Sequence, residues 1–206
     1  MSRQKEVIVV GGGYNPPTVA HQAIVGACLE QPGFDEVWVM PSRERWDKSI
    51  ATTDEDRLAM LEAMKEEVFG GDERLHISDF ELSMPAPTET IRTVSALAIA
   101  HTDTRFWFAF GADSYATMPL WGGGEELQRT LPMLLVERPG YDLPPESDLI
   151  RHLQIGVDEA IRHASSSEVR GRIRQNLPVS ALVCESVGHY IGEKSLYLEE
   201  QDPLQV

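Results

Sequence analysis

Thr18 and His21 stand three residues apart, just behind Gly11-Gly12-Gly13-Tyr14-Asn15-Pro16-Pro17. In a helix, that spacing puts both side chains on one face of the first turn. A helix N-terminus carries unpaired N–H groups and the positive end of the helix dipole. A phosphate held there would meet the Thr18 hydroxyl and the His21 imidazole as further donors. The glycines before them let a phosphate or an adenine approach the backbone closely. The pattern is not a dinucleotide fingerprint, because Pro16 stands where the last glycine of G-x-G-x-x-G belongs. It is not a P-loop either, since no Gly-Lys-Ser/Thr follows. Alone, the stretch also reads as a glycine turn with a surface histidine.

These residues need a scaffold, and the flanking sequence supplies one. Val7–Val10 is four apolar, mostly β-branched residues and reads as a buried strand. A helix over Thr18–Gln31 follows, stopped by Pro32-Gly33. Further strands are expected at Glu36–Met40, Leu75–Ile77, Arg105–Phe110 and Leu131–Val136, with an edge strand at Leu153–Val157. Helices are expected at Asp54–Val68, from Thr88 or Thr90 to His101, at Ser165–Gln175 and at Val179–Ile191. Thr52 with Glu55, and Ser165 with Glu168, fit capping boxes. Alternating strands and helices predict an α/β, Rossmann-like, doubly wound parallel sheet of five to six strands with a C-terminal helical extension. We expect one domain over 1–206, with 160–206 as its helical subregion.

In such a sheet, ligands bind beyond the carboxyl ends of the strands. The segments to interrogate are therefore Gly11–His21, Pro41–Lys48, Met84–Thr90, Gly111–Asp113 and Arg138–Tyr141. They are rich in Gly, Asp, Arg, Thr and His.

The bulk composition narrows the class. The chain has 206 residues, 42% hydrophobic and 25% charged, which suits a folded protein with a substantial core. A net charge of −15 argues against general nucleic-acid binding. It leaves small anionic ligands open, provided the cations are concentrated at the site. Cys28 and Cys184 show no metal or redox spacing and read as buried free thiols of a reducing compartment. No apolar run is long enough for a membrane span or a signal region, and the expected location is cytoplasmic.

Val7–His21 resembles the G-G-x-F-[DN]-P-x-[HT]-x-G-H signature of the nucleotidyltransferase superfamily, and more narrowly the nicotinate/nicotinamide mononucleotide adenylyltransferases. Tyr14 stands for Phe, Thr18 for the first histidine, and Ala20 for the small glycine, while His21 is kept. Pro41–Lys48 resembles a post-strand loop ending in His-Lys, with Asp47 at the histidine and Lys48 kept. Arg57-Leu58-Ala59-Met60-Leu61 resembles Arg-x-x-Met-Leu. Thr88–Val94 resembles Ser-Tyr-Thr-x-x-Thr-Leu, with Glu89 at the tyrosine. Gly111-Ala112-Asp113 through Trp121, and Arg138-Pro139-Gly140-Tyr141, match further family segments. Ser165–Arg170 resembles Ser-Ser-Thr-x-Ile-Arg, and Val187–Tyr197 resembles the family's tail. These segments run in order over nearly the whole chain.

The resemblance implies attack by the phosphate of a pyridine mononucleotide on the α-phosphate of ATP, with release of pyrophosphate. The implied substrate is nicotinate mononucleotide and the product deamido-NAD. Such a nucleophile is already an anion and needs no general base. Catalysis would come from positioning and charge neutralisation. The residues implied in catalysis are His21 (neutral or as imidazolium), Thr18, Lys48 and Arg170. ATP would be held by Gly11, Gly12, Gly13, Tyr14, Asn15, His21, Gly111, Asp113, Ser166, Ser167 and Arg170. The mononucleotide would be held by Asn15, Lys48, Thr88, Thr90, Trp121 and Arg138, with Trp121 stacked on the pyridine ring. No protein metal site is implied; Mg²⁺ would ride mainly on the triphosphate. No nucleic acid or membrane partner is expected, and a homo-oligomer is compatible with the sequence.

Read locally, several of these residues have plainer roles. The Ser165–Glu168 box alone is an ordinary helix cap, Arg170, Arg172 and Arg174 a solvated helix face, Asp113 an N-cap, and Trp121 a core residue. The other histidines, His76, His101, His152, His163 and His189, show no partner pattern. Nicotinamide mononucleotide as substrate, a sibling enzyme such as a phosphopantetheine adenylyltransferase, and a non-catalytic nucleotide-binding protein are the rival readings.

Overall fold

The computed structural model describes residues 3–43, 52–156, 161 and 164–198. Asp47, Lys48 and His163 lie outside the described residues.

Six strands form one sheet: β1 (Lys5–Gly12), β2 (Glu36–Pro41), β3 (Leu75–Ile77), β4 (Thr104–Gly111), β5 (Met133–Val136) and β6 (Ile150–Leu153). Their order is β3-β2-β1-β4-β5-β6 and every pair is parallel. This is the expected α/β Rossmann-like sheet. β1 sits at its centre, with Val7 opposite Glu36 on one side and Phe106 on the other. Successive side chains of a strand point to opposite faces, so β1 serves two cores. Ile8 and Val10 pack with Val25, Met60, Leu61, Val187 and Ile191. Val7 and Val9 pack with Leu97, Phe108, Met118 and Leu127. All four β1 residues are almost fully buried. Each contributes about 1.5–3 kcal/mol through removal of its side chain from water.

The helices are α1 (Val19–Leu29), α2 (Asp54–Phe69), α3 (Thr90–Ala100), α4 (Ala112–Thr117), α5 (Gly124–Thr130), α6 (Ser166–Arg174) and α7 (Glu185–Glu193), with a 3₁₀ turn at Met118–Leu120. Connections run from β1 outward to β3, then return across to β4 and outward again. The reversal between β1 and β4 opens a crevice at their carboxyl ends, where ligands bind in sheets of this kind.

Several boundaries differ from expectation. The edge strand is Ile150–Leu153 rather than Leu153–Val157, because β5 offers four residues in register from Met133 opposite Ile150. The last helix starts at Glu185 rather than Val179. Residues Val179–Val183 instead form a turn, and the Leu182 carbonyl accepts from Val19 N–H at 2.9 Å. Thr53, not Thr52, caps α2, accepting from Asp56 N–H at 3.1 Å. Thr52 turns the other way and donates to Asn15 Oδ1 at 2.6 Å.

The C-terminal helices close over the back of the first half. Ser165 caps α6, as the sequence pattern predicts, accepting from Glu168 N–H at 3.2 Å. α7 docks on α2: Tyr190 Oη donates to Asp56 Oδ1 at 2.9 Å, and Val187 and Ile191 are buried. No helix among the described residues is long and apolar enough to cross a membrane.

Candidate active site

One cleft lies above the carboxyl ends of β1, β2, β4 and β5. It encloses about 2700 Å³ with its open mouth included, enough for two nucleotide-sized ligands. Its border takes in Gly11–Asn15, His21, Arg43, Glu81, Thr88–Thr90, Asp113, Trp121, Arg138, Ser165–Ser167 and Arg170. Most residues that the sequence nominates therefore meet in one place.

The glycine turn is built by close approach. A side chain at Gly12 would sit 3.2 Å from the Tyr14 ring. Tyr14 adopts φ 45° and is buried, with its hydroxyl donating to the Val10 carbonyl at 2.7 Å. Burial raises its phenol pKa far above the ordinary value, so the hydroxyl stays protonated. The ring lies 4.9 Å from that of His21, tilted by 54°. Tyr14 thus supports His21 rather than offering its own hydroxyl to a ligand.

Thr18 and His21 do meet side chain to side chain, but Thr18 stands outside the first helical turn and away from the cleft. Thr18 is the N-cap of α1, in extended backbone, and is completely buried. Its N–H donates to His21 Nδ1 at 2.9 Å, and its Oγ1 lies 2.9 Å from the same nitrogen and 3.4 Å from the Ala164 carbonyl. His21 borders the cleft and Thr18 sits behind it. The direct phosphate contact expected of Thr18 is corrected by this geometry. The physical reason is that the helix starts one residue later, at Val19.

The loops around the turn are tied by backbone carbonyls. Ser42 N–H donates to Gly12 O at 2.8 Å. Arg57 Nη1 donates to Gly13 O at 3.1 Å and to Ser42 O at 2.7 Å, and Nη2 pairs with Asp54. Arg57 is fully buried on the stripe Arg57, Met60, Leu61, Met64. Sequence reasoning matches it only within Arg-x-x-Met-Leu and gives it no site role; an arginine at helical spacing within an apolar stripe was the available signal.

From the other side, α6 grips the same turn. Ser166 Oγ donates to Pro16 O at 2.7 Å, and Arg170 Nη1 to Asn15 O at 2.7 Å. Arg170 Nη2 also donates to Ser167 Oγ at 3.2 Å. Arg170 is half-buried, and that burial lowers its pKa from the ordinary arginine value. A guanidinium short of hydration gains from an anion placed beside it. Asn15 itself is buried, with its side chain engaged by Thr52.

At the far end, Phe108, Phe110, Leu120 and Trp121 give the cleft an apolar aromatic wall. Trp121 meets Phe110 edge-on at 6.0 Å. Glu81, another residue that sequence did not nominate, organises this end. Its carboxylate accepts from Thr88 Oγ1 at 2.8 Å, Thr93 Oγ1 at 3.1 Å and Arg43 N–H at 3.3 Å. Thr88 is buried by that contact, while Thr90 opens α3 at the cleft border. Glu89 caps no N–H; it reaches across to Gly122, where any Cβ would collide with its carboxylate.

Asp113 is not an N-cap: Gly111 holds that position in α4. Asp113 Oδ1 faces Arg138 Nε at 3.7 Å. A Cβ at Gly111 would displace the Asp113 carboxylate and press on the Arg138 side chain. No cluster of three His, Cys, Asp or Glu side chains able to hold a metal ion occurs among the described residues. Cys28 is buried and Cys184 partly so, both as free thiols.

The cytidylyltransferase-like family pattern matches residues 9–172. A probable nicotinate-nucleotide adenylyltransferase of Halalkalibacterium halodurans is 32% identical over 200 residues, covering 94% of this chain and 91% of the relative. The chain belongs to this adenylyltransferase family. A second relative so named, from Anaeromyxobacter dehalogenans, is 33% identical over 202 residues and covers 96% of this chain and 99% of its own. The Plasmodium falciparum nicotinic acid mononucleotide adenylyltransferase, solved with NaAD, superposes with a TM-score of 0.81 over 94% of this chain and 97% of that one. At 21% identity, that likeness speaks for the fold. The family's segments thus coincide with the loops that border the cleft.

Proposed function

We propose that the protein transfers the adenylyl group of ATP to nicotinate mononucleotide, giving deamido-NAD and pyrophosphate. The observation that carries this reading is the division of one cleft. The glycine turn, His21 and the start of α6 line one end; Thr88–Thr90, Phe110 and Trp121 line the other. The first end suits a triphosphate and the second a flat aromatic ring.

In the reaction, a phosphate oxygen of the mononucleotide forms a bond to the α-phosphorus of ATP. The bond from that phosphorus to the bridging oxygen of the β-phosphate breaks, and pyrophosphate leaves with the electron pair. The attacking group is an anion, so no side chain has to take a proton. His21 donates a hydrogen bond to the α-phosphate oxygens, where charge accumulates. Ser166, Ser167 and Arg170 hold the outer phosphates at the start of α6. Lys48 is assigned a further charge contact from the post-β2 loop. Gly11, Gly12, Gly13, Gly111 and Asp113 border the adenosine, while Asn15, Thr88, Thr90, Trp121 and Arg138 serve the mononucleotide. Mg²⁺ enters as part of the ATP substrate. We read the chain as one domain, 1–206, acting in the cytoplasm, with self-association open to it.

One observation favours a second reading, nicotinamide mononucleotide as an additional substrate. The Glu89 carboxylate stands at the aromatic end, beside Gly122 and Trp121. A fixed negative charge there disfavours a negatively charged ring substituent.

The test is pyrophosphate release with ATP and nicotinate mononucleotide, nicotinamide mononucleotide or phosphopantetheine. Fastest release with nicotinate mononucleotide is expected. Release only with phosphopantetheine would transfer the chain to a sibling activity. Release with none of the three would leave a nucleotide-binding protein. His21→Ala should lower kcat by about 10²–10⁴, a loss of roughly 3–5 kcal/mol of transition-state stabilisation.

A further inference from the structure

We propose that Thr18 is a positioning residue: it holds the His21 imidazole by its Nδ1 edge, so that the ring presents an Nε2–H to the cleft. The catalytic consequence rests on the adenylyl-transfer reading above; the hydrogen-bond geometry does not.

α1 begins with a capping box of unusual composition. In the common box, a Glu or Gln at the third helical position reaches back to accept from the N-cap N–H. Here that position is His21, and its Nδ1 accepts from Thr18 N–H at 2.9 Å. A backbone N–H can only donate, so Nδ1 must bring a lone pair. A neutral imidazole has one N–H, which therefore resides on Nε2. The reciprocal half of the box is the Thr18 side chain accepting from the backbone N–H of His21. The same hydroxyl lies 2.9 Å from Nδ1 and reaches the Ala164 carbonyl at 3.4 Å. It thereby ties the His21 backbone, the His21 ring and the start of α6 to one point. The Tyr14 ring, 4.9 Å away, limits the imidazole on another side.

Burial decides between this role and direct ligation. Thr18 has no exposed surface, so its hydroxyl cannot reach a phosphate in the cleft. His21 borders that cleft. A donor fixed before the substrate arrives needs no reorganisation as charge develops on the phosphate oxygens. Losing the Thr18 hydroxyl should therefore reduce turnover and spare ATP affinity.

The experiment compares wild type, Thr18→Val and Thr18→Ser. Valine keeps the branched shape and removes only the hydroxyl. Steady-state kinetics should show kcat lowered by about 10–100-fold in Thr18→Val, with KM for ATP within about twofold, and Thr18→Ser close to wild type. Nuclear magnetic resonance of ¹⁵N-histidine-labelled protein, assigned with His21→Gln, reads the tautomer without any substrate. Wild type should show Nε2–H with Nδ1 as a hydrogen-bonded acceptor; Thr18→Val keeps the residue-18 N–H and should hold the same tautomer, with the Nδ1 resonance shifted and broadened by loss of the hydroxyl contact. A tenfold rise in KM for ATP at unchanged kcat would overturn the proposal and make Thr18 a ligand. So would a wild-type ring protonated on Nδ1, which can be read even if Thr18→Val does not fold. If wild type transfers adenylyl to no mononucleotide, the functional reading fails, and the two spectra still decide the positioning.

Discussion

Arg170 Nη1 donates to the Asn15 carbonyl at 2.7 Å across 155 residues of sequence. That bond joins a cation bordering the cleft to the glycine-rich turn at its edge. A guanidinium carries five N–H donors, so anchoring the fork to Asn15 and Ser167 leaves its shape suited to phosphate as well. Arg170→Ala should lower kcat/KM for ATP by about 10²–10³, and Arg170→Lys should recover only part of it, since a lysine cannot make both contacts. Initial-rate kinetics with varied ATP would check this. Equal kinetics for Arg170→Lys and wild type would reduce Arg170 to a point charge.

Arg57 makes a comparable bridge from the other side, from Nη1 to Gly13 O and Ser42 O. The arginine is buried, and its Nε finds no partner among the described residues. Arg57→Met keeps the apolar stem yet leaves two carbonyls without their donor. The expected cost is about 2–4 kcal/mol, and roughly 5–15 °C in Tm for a chain of this size. Differential scanning calorimetry would measure it. A stable Arg57→Met variant with normal KM for both substrates would show that the two loops hold themselves.

The sheet was legible because its signal is local. Val7–Val10 reads as a buried strand from four residues, although β1 runs on through Gly11 and Gly12, which pair with Met40 and Pro41. A family counterpart made Arg170 legible as a site residue, whereas the counterpart of Arg57 marked only a helix. Thr18 was misplaced because a one-residue change in where α1 starts turns a cleft-facing donor into a buried cap. Arg57 was missed because its acceptors, Gly13 and Ser42, lie 44 and 15 residues away in the chain. Glu81 was missed for a similar reason: it bonds Thr88, Thr93 and Arg43, from three different segments. A carboxylate beside Phe80 reads as a solvated turn until those hydroxyls are brought to it.

Glu89 gives a prediction about substrate charge. Its carboxylate lies against Gly122, one residue from Trp121. Two unit negative charges about 6 Å apart repel by roughly 3 kcal/mol at an effective dielectric of 20, and by less where water reaches them. Glu89 is exposed, so only part of that penalty survives. Glu89→Gln should raise the ratio of kcat/KM for the acid over the amide mononucleotide by about 3–10-fold. Competition between the two mononucleotides at low ionic strength would measure the ratio. An unchanged ratio would place the ring substituent away from Glu89.

The docking of α7 on α2 should depend on pH through Glu67. Its carboxylate accepts from Glu185 N–H at 3.0 Å and Ser186 N–H at 2.6 Å, supplying from α2 the cap that Cys184 does not provide. The Ser186 hydroxyl and backbone, followed by Glu185 N–H, hold the Glu67 carboxyl below its ordinary value of 4.5. A folded-state pKa below the unfolded one means that the ionised form favours folding. The contribution is therefore complete above about pH 4.5, the unfolded value, and is lost as pH falls through the lower folded value. Glu67→Gln keeps the shape and removes the charge. It should lower Tm at neutral pH by about 2–4 °C, the effect of a helix cap worth about 1 kcal/mol in a chain of this size. The difference from wild type should shrink as pH drops below the folded pKa of Glu67. Thermal melts of both proteins over a descending pH series would check the sign. A gap that widens toward acid would mean that Glu67 is protonated in the folded state and that α7 is held by Val187, Ile191 and the Tyr190–Asp56 bond without it.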